Sequence, residues 1–324
     1  MNRFTLKHTG IAVALAWPDT FCKQPNSWYD GIMRFLGINK DYYYQAGHAA
    51  VLLIEKTSGK CLYFDFGRYH SPFNYGRIRS AETDHELEVK AIPTFSEDLN
   101  YINNISEILV ELQSNKSCHG DGTLYSSQFQ IDFNSSLSKT KELQSKEFLP
   151  YGPFVKGGSN CSRFVSAVIK AGKPKIKQLF PLMFLIPFTP TPLTNVRAGK
   201  KRLSVYKLTE TAQNTSVIRP NYREWATDLK WLNETAPMPK RHSNVHSSAQ
   251  WLSGEGYGSW YEVIVDSNSI QLTEFSPFGN VESKSHFSLN GSNFNSREPF
   301  SVTYPSNCKV LSIKQNQNYF KFYS

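Results

Sequence analysis

Cys161 is the residue whose type and surroundings point most directly to chemistry. A thiol attacks as its thiolate, and the first turn of a helix favours that anion because unpaired N–H groups and the helix dipole concentrate there. Cys161 follows the letters GGSN and precedes a run, 164–169, whose apolar residues recur at helical spacing. The pattern predicts a helix that begins close to Cys161. The preceding glycines and the amides of Asn160 and Cys161 could surround a developing oxyanion.

A nucleophilic thiol needs a base, and His48 is the strongest candidate. It stands in AGHAAVLLIE, directly before an apolar run, where packing gives no reason for an imidazole. Asp65 is an isolated carboxylate in YFDFG, and its burial is costly unless it is paired. A turn near residue 58 pairs residues whose numbers sum to roughly 115 to 117, which places Asp65 diagonal to His48. Asp65 is therefore the expected orienting group, and His70 is the second candidate because a one-residue slip would turn Asp65 away.

A basic stretch follows this pair of strands. It contains Arg68, Arg77 and Arg79, together with His70 and His85. Guanidinium groups bind carboxylates and phosphates through paired hydrogen bonds, so the stretch could hold an anionic group of a substrate. The alternative is a solvated loop. We name Arg68, His70 and Asn160 as candidate substrate-binding or oxyanion residues.

The cysteine and histidine spacings argue against a metal or a cofactor. Five cysteines in 324 residues form no CxxC pair, so neither a zinc site nor a redox dithiol is indicated. His242 and His246 lie four residues apart without the glutamate of a zinc-protease motif. We expect no metal and no cofactor. The sparse, odd number of cysteines favours a reducing compartment, the cytoplasm.

The charge balance is basic but diffuse. Lys and Arg number 36 against 27 Asp and Glu, and the densest basic clusters, Lys173 to Lys177 and Arg197 to Arg202, lack interleaved aromatic residues. We therefore expect no nucleic-acid partner. The apolar runs Ile11 to Trp17 and Leu179 to Phe188 are too short to span a bilayer, so we expect no integral membrane contact.

The order of elements can be predicted from periodicity. Ile11 to Trp17 reads as a buried strand, and Ser27 to Leu36 as a short amphipathic helix. Ala49 to Ile54 and Cys61 to Phe66 read as a hairpin around Ser58-Gly59. Isoleucines and leucines at three- and four-residue steps predict a helix over 97–113, with Ser96 as its cap. The polar segment 114–147 is expected to be an excursion from the core.

The C-terminal third alternates short aromatic runs with turn residues, which is typical of a small all-β unit. Six strands are predicted there: Trp260 to Val265, Ile270 to Phe275, Val281 to Phe287, Phe300 to Tyr304, Lys309 to Ile313 and Tyr319 to Tyr323. The polar approach over 195–225 is a plausible linker. We predict a first domain over 1–205 and a β-rich accessory domain over 206–324.

These motifs resemble the circularly permuted branch of the papain-like NlpC/P60 superfamily. In that branch, which includes bacterial cell-wall amidase relatives and lecithin:retinol acyltransferase-like enzymes, the histidine strand precedes the nucleophile helix. YYYQAGHAAVLLIE, YFDFGRYHSPFNYGRIRS and GSNCSRFV are similar to a bacterial family of this type over about residues 8–200. GEGYGSWYEV resembles the start of a β-rich unit attached to it.

The resemblance implies an α+β fold, with an antiparallel sheet and packed helices followed by a small all-β domain. It implies Cys161 as the nucleophile, His48 as the base and Asp65 as the third group, where many relatives carry histidine. We predict a cysteine hydrolase, a peptidase or amidase, that cleaves an amide or ester bond of a peptide-like substrate. The alternatives are a thiol acyltransferase and a non-catalytic papain-like binding module. The C-terminal β domain is expected to recruit any protein partner.

Overall fold

The computed structural model describes residues 8–24, 30–36, 39–40, 43–118, 120–184, 189–206, 238–255, 258–289 and 292–324. The strands are β1 (Gly10–Trp17), β2 (Cys22–Lys23), β3 (Asn39–Lys40), β4 (Tyr43–Tyr44), β5 (His48–Glu55), β6 (Cys61–Gly67), β7 (Tyr75–Arg79), β8 (Thr123–Ile131), β9 (Leu149–Pro150), β10 (Lys200–Tyr206), β11 (Gln250–Leu252), β12 (Ser259–Val265), β13 (Ser269–Phe275), β14 (Val281–Ser288), β15 (Ser301–Thr303), β16 (Val310–Gln315) and β17 (Asn318–Tyr323). The α-helices are α1 (Asp30–Phe35), α2 (Ile105–Ser114), α3 (Phe133–Gln144), α4 (Cys161–Ala171), α5 (Ile176–Phe184) and α6 (Pro192–Ala198). None of the helices in these ranges has the length and apolar character needed to cross a membrane.

One antiparallel sheet with helices on both faces forms the main core. Its strand order is β10-β8-β1-β5-β6-β7-β9. Helices α3 to α6 cover one face, where Phe164 and Val168 pack, and α2 covers the other with Ile108 and Leu109. Because both faces are covered, every residue of β1 and nearly all of β5 are buried, which explains their continuous apolar sequences. The predicted α+β class is confirmed.

The predicted hairpin is also confirmed, and its register fixes the polar residues at one end of the sheet. β5 and β6 pair with Ala50 opposite Asp65. His48 lies two residues before Ala50, so its side chain leaves the same face as that of Asp65. On its other side, β5 pairs with β1 so that Trp17 lies opposite His48.

The helix predicted over 97–113 begins later, at Ile105. The Ser96 hydroxyl accepts hydrogen bonds from the amides of Asn100 and Tyr101 and donates to Asp98, so it closes a tight turn instead of capping a helix. Short polar side chains compete in this way for local backbone groups. The periodic isoleucines and leucines are helical only from Ile105 onward.

The interpretation of 114–147 as an excursion is wrong. Its middle part is β8, which lies inside the main sheet between β1 and β10, and its last part is α3. Several polar residues of β8 are buried with hydrogen-bond partners, although the hydroxyl of the buried Ser127 has none among the described residues. Gln128, for example, accepts from the Ile102 amide at 2.8 Å, and its backbone carbonyl accepts from the Gln178 side chain at 2.9 Å.

Helix α1 is shorter and more exposed than predicted. It covers Asp30–Phe35, and residues 25–29, including the predicted cap Ser27, lie outside the described residues. The predicted apolar face is not a buried one, since Phe35 is 90% exposed and Ile32 is 54% exposed.

The C-terminal region is all-β, and the six predicted strands are present. β11 to β14 form a four-stranded sheet and β15 to β17 a three-stranded sheet. The two sheets share one apolar core that includes Tyr261, Leu272 and Ile313. The predicted boundary between residues 205 and 206 adjoins 207–237, which lie outside the described residues, so the division into two domains stays a prediction.

Polar contacts connect this region to the loop between β6 and β7. The Glu255 carboxylate pairs with Arg68 at 2.9 Å and accepts from the Asn74 amide at 2.8 Å, while the Glu255 amide donates to the Ser71 carbonyl. The segment after β7 is also held, because the amide of Cys308 donates to the carbonyl of Thr83.

Candidate active site

The helix that carries the candidate nucleophile begins at Cys161. Asn160 is its N-cap: the backbone is extended there, and the side-chain oxygen accepts from the Arg163 amide at 2.8 Å. Cys161 thus occupies the first helical position, where its own amide has no intrahelical acceptor. The residue is 8% exposed, so most of it is enclosed.

His48 lies beside this helix start, at the first residue of β5. Its Nε2 atom is 3.3 Å from Oδ2 of Asp65. The imidazole stacks on Trp17 at 5.8 Å between ring centroids, and the edge of Tyr69 closes another side at 6.1 Å. These aromatic rings fix the plane of the imidazole, and His48 and Cys161 lie close enough for each to shift the pKa of the other.

Asp65 is fully buried, and its charge is compensated on several sides. Nε and Nη2 of Arg79 donate to its two oxygens at 3.0 and 2.5 Å, and the hydroxyl of Tyr63 donates at 3.1 Å. Burial opposes ionisation, but the charge and hydrogen bonds of Arg79 and His48 hold the pKa of Asp65 far below its ordinary range. Asp65 is therefore an anion at neutral pH.

The electrostatics of the pair favour a thiolate next to an imidazolium. Burial alone would lower the pKa of His48, but hydrogen bonds and charges from Asp65 and Cys161 raise it to about 9. Burial would raise the pKa of Cys161, yet His48, the Ser162 hydroxyl and the Ala49 amide together lower it. These two shifts favour transfer of the thiol proton from Cys161 to the imidazole of His48.

The other cysteines have the opposite tendency. Burial raises the pKa of Cys22, Cys61 and Cys118 to about 12 in each case, and it also raises that of Cys308. Thiolate character is thus concentrated at Cys161.

Two family models match separate parts of the chain. A family model described as the type VI secretion system effector TseH-like family matches residues 12–177, slightly more than half of the chain. The chain belongs to this TseH-like effector family. A second model, described as the DUF6695 C-terminal domain, matches residues 249–324.

Among solved structures, the crystal structure of the type VI secretion system effector TseH is similar to this TseH-like chain. It is 18% identical, and the alignment covers 62% of this chain and 94% of TseH with a TM-score of 0.39. A search of curated proteins returns no match.

Asn160 has a role that sequence reasoning did not assign to its side chain. The side-chain oxygen caps α4, and Nδ2 donates to the Thr189 hydroxyl at 3.3 Å. With the carboxamide engaged in this way, the candidate oxyanion donors of the TseH-like site are backbone amides at the helix start.

Arg68 and His70 lie at the contact with the C-terminal region. Arg68 is paired with Glu255, and Nδ1 of His70 lies 3.1 Å from Glu274 and 3.0 Å from the hydroxyl of Ser259. Asp65, not His70, is the residue that lies beside His48. Both side chains contact the chain's own C-terminal region, and the substrate-binding roles predicted for Arg68 and His70 stay predictions.

The rest of the predicted anion-binding stretch is likewise occupied by carboxylates of the chain itself. Arg77 forms two hydrogen bonds to Asp84, at 2.8 and 2.5 Å, and Arg79 binds Asp65. Sequence reasoning missed the supporting roles of Arg79 and Tyr63. A period-2 reading of YFDF would have placed Tyr63 on the face of Asp65, whereas Arg79 required the register of β6 with β7, in which it lies opposite Asp65.

Proposed function

We propose that this TseH-like chain is a cysteine hydrolase of the permuted papain-like NlpC/P60 type. Cys161 is the nucleophile, His48 the general base and acid, and Asp65 the group that orients the imidazole. The observation that carries the proposal is the buried series of Cys161, His48 and Asp65, in which the imidazole lies 3.3 Å from an ionised carboxylate and beside the thiol at the start of α4. The histidine strand precedes the cysteine helix in the chain, as the permuted order requires.

The reaction follows from the charges in the site. The Cys161 thiolate attacks the carbonyl carbon, and the oxygen that becomes negative accepts hydrogen bonds from amides at the start of α4. The His48 imidazolium gives its proton to the leaving group, and an acyl thioester remains on the sulfur. The neutral imidazole then takes a proton from water, whose oxygen attacks the thioester, and the acid product and the thiolate are released with His48 protonated again.

The substrate class we favour is a peptide-like amide. An amine is a poor leaving group unless it is protonated, whereas an ester alkoxide depends less on this. His48 remains protonated beside the thiolate because Asp65 is held ionised by Arg79, so the site supplies the acid that amide cleavage needs. Acyl transfer would use the same thioester with an acceptor other than water.

Alkylation of the full chain with iodoacetamide, followed by mass-spectrometric mapping, tests the activated thiol. Cys161 should be labelled at pH 6 at least about 30 times faster than an ordinary thiol, because only the thiolate reacts. Cys22, Cys61, Cys118 and Cys308 are the internal comparison. Labelling of Cys161 no faster than that of these four would reject the nucleophile assignment.

Hydrolysis is tested separately with a mixture of synthetic peptides and isopeptides analysed by mass spectrometry. The wild-type chain should release new amines and carboxylates, and Cys161→Ala should release none. Asp65→Asn should be slower than the wild type, whereas His70→Asn should retain most of the activity. Equal product release by wild type and Cys161→Ala would contradict the proposal.

A further inference from the structure

A second cluster of titratable side chains lies where the C-terminal region meets the β6–β7 loop. His70 comes from that loop, Glu274 from β13 and Glu282 from β14. One ligand atom from each of the three residues lies within 4.8 Å of the others. The hydroxyl of Ser259 is close as well, 3.0 Å from Nδ1 of His70 and 3.5 Å from Oε2 of Glu282.

A β-bulge brings the two carboxylates to the same side of the sheet. β13 and β14 pair Glu274 with Ser283, but the next pair is Phe275 with Val281, so Glu282 is the extra residue. In regular pairing, neighbours on a strand point to opposite faces, and Glu282 would point away from Glu274. A bulge turns the additional side chain and is a common way to aim a residue at a site.

The two carboxylates lack a cationic side-chain partner. Glu274 is 8% exposed, and its contacts are the Tyr261 hydroxyl at 3.0 Å, the Ser283 hydroxyl at 3.3 Å and His70. Among the described residues, no lysine or arginine is within ion-pair distance of Glu274 or Glu282. This differs from the neighbouring ionic groups, since Arg77 is bound to Asp84 and Arg68 to Glu255.

Two converging carboxylates without a counter-cation repel each other, and the cost is greatest for the buried Glu274, while Glu282 is exposed. A bound divalent cation would remove the repulsion without requiring protons.

We propose that His70, Glu274 and Glu282 form a divalent transition-metal site, best suited to Zn²⁺. One imidazole nitrogen and two carboxylate oxygens are common zinc ligands. Mn²⁺ and Fe²⁺ also bind such ligands, whereas soft metal ions prefer thiolates. Water or the Ser259 hydroxyl completes the coordination. The metal would connect β13 and β14 to the β6–β7 loop and so hold the C-terminal region against the main sheet.

The test is calorimetric titration of the full chain with ZnCl₂ after removal of metals with EDTA. Both the parent and the variants carry Cys161→Ala, because the thiolate and His48 could otherwise bind zinc. The outcome is thereby independent of whether the chain is a hydrolase. We expect one Zn²⁺ per chain with a dissociation constant in the micromolar range or below, and binding at least tenfold weaker after Glu282→Gln.

The matched control is Glu262→Gln. Glu262 lies on β12 in the same region, 3.6 Å from the exposed His246, and the described part of the chain offers this pair no third metal ligand. Glu262→Gln should change the dissociation constant for Zn²⁺ by less than about twofold. Because Glu282 is exposed, Glu282→Gln should fold, and a circular-dichroism spectrum equal to the parent's is required before its affinity is compared.

Substitution with Co²⁺ gives a second readout that affinity alone does not supply. The parent should show visible ligand-field bands of a low-coordinate nitrogen–oxygen site, and His70→Asn should lose or shift them. Absence of stoichiometric Zn²⁺ binding by the parent would overturn the proposal. So would equal affinity in Glu282→Gln, or an equal loss in Glu262→Gln.

Discussion

Two histidines of this TseH-like chain lie beside buried carboxylates at nearly the same distance, yet they have opposite charge preferences. His48 is 3.3 Å from Asp65, and its pKa is raised to about 9. His70 is 3.1 Å from Glu274, and its pKa is lowered to about 3. Distance to a carboxylate therefore does not decide whether a histidine is protonated.

The difference lies in what holds the carboxylate. Arg79 binds Asp65 through two hydrogen bonds and keeps it ionised, so Asp65 can stabilise the His48 imidazolium. Glu274 receives only neutral hydroxyl donors besides His70, and burial pushes it toward its protonated form. Arg77 adds a repulsive charge near His70. The group behind the carboxylate thus determines whether the histidine serves as an acid or as a neutral ligand.

The largest effect is expected from removing Arg79. Arg79→Met leaves the Asp65 charge buried without its partner, and loss of one member of a buried ion pair costs about 3–5 kcal/mol of unfolding free energy. Urea denaturation of the wild type and Arg79→Met measures this difference in the free energy of unfolding. The double variant Arg79→Met with Asp65→Asn should recover part of the loss because no charge is then left unpaired. If Arg79→Met costs less than about 1 kcal/mol, Arg79 is not what keeps Asp65 ionised.

The second effect concerns the reactivity of Cys161 at pH 6. His48→Asn removes the proton acceptor, and the labelling rate should fall by roughly 300-fold, the ratio between a fully ionised thiol and one with a pKa near 8.5. The matched change His70→Asn should alter the rate by less than about twofold. Similar losses in the two variants would show that the histidines are not functionally distinct.

The third effect is a pair of opposite pH dependences. His48 has a raised pKa in the folded state, so its contribution to stability is complete below about pH 6.5 and is lost as the pH rises through 9. His70 has a lowered pKa, so its contribution is complete above about pH 6.5 and is lost as the pH falls toward 3.

Urea denaturation with EDTA present, at several pH values between 5 and 9, distinguishes the two histidines. The destabilisation caused by His48→Asn should shrink with rising pH, and that caused by His70→Asn should shrink with falling pH. Over the full range of each titration, the effect should change by about 3 kcal/mol for His48 and by about 5 kcal/mol for His70. Parallel slopes for the two variants would contradict the comparison.

The amount that sequence could predict differs between the two clusters. His48 and Asp65 lie on one hairpin, and a turn centred near residue 58 was enough to predict Asp65 opposite residues 50 to 52, where the structure pairs it with Ala50. Cys161 could be identified because a helix-capping residue, Asn160, precedes it and apolar residues at helical spacing follow it. These are local signals, and the fold class follows from the same kind of pattern.

The second cluster has no local signal. His70 and Glu274 are separated by about two hundred residues and meet only because the C-terminal sheet packs against the β6–β7 loop. Glu282 depends in addition on a bulge that periodicity does not predict. The position of β8 was missed for a related reason: its serines and glutamines look solvent-exposed in sequence, whereas tertiary hydrogen bonds accompany the burial of residues such as Gln128.

The smallest effect is expected at Cys161 when the C-terminal region is removed. A fragment of residues 1–210 lacks Glu255, Ser259 and Glu274 but keeps the residues of the His48 cluster. The contacts that it loses are mainly ion pairs and hydrogen bonds to the β6–β7 loop, which water can replace. We expect a folded circular-dichroism spectrum and a Cys161 labelling rate at pH 6 within about threefold of the full chain's. Aggregation of the fragment, with the full chain remaining stable, would instead mean that the two predicted domains share one core and that the charge state of His48 depends on the cluster around His70.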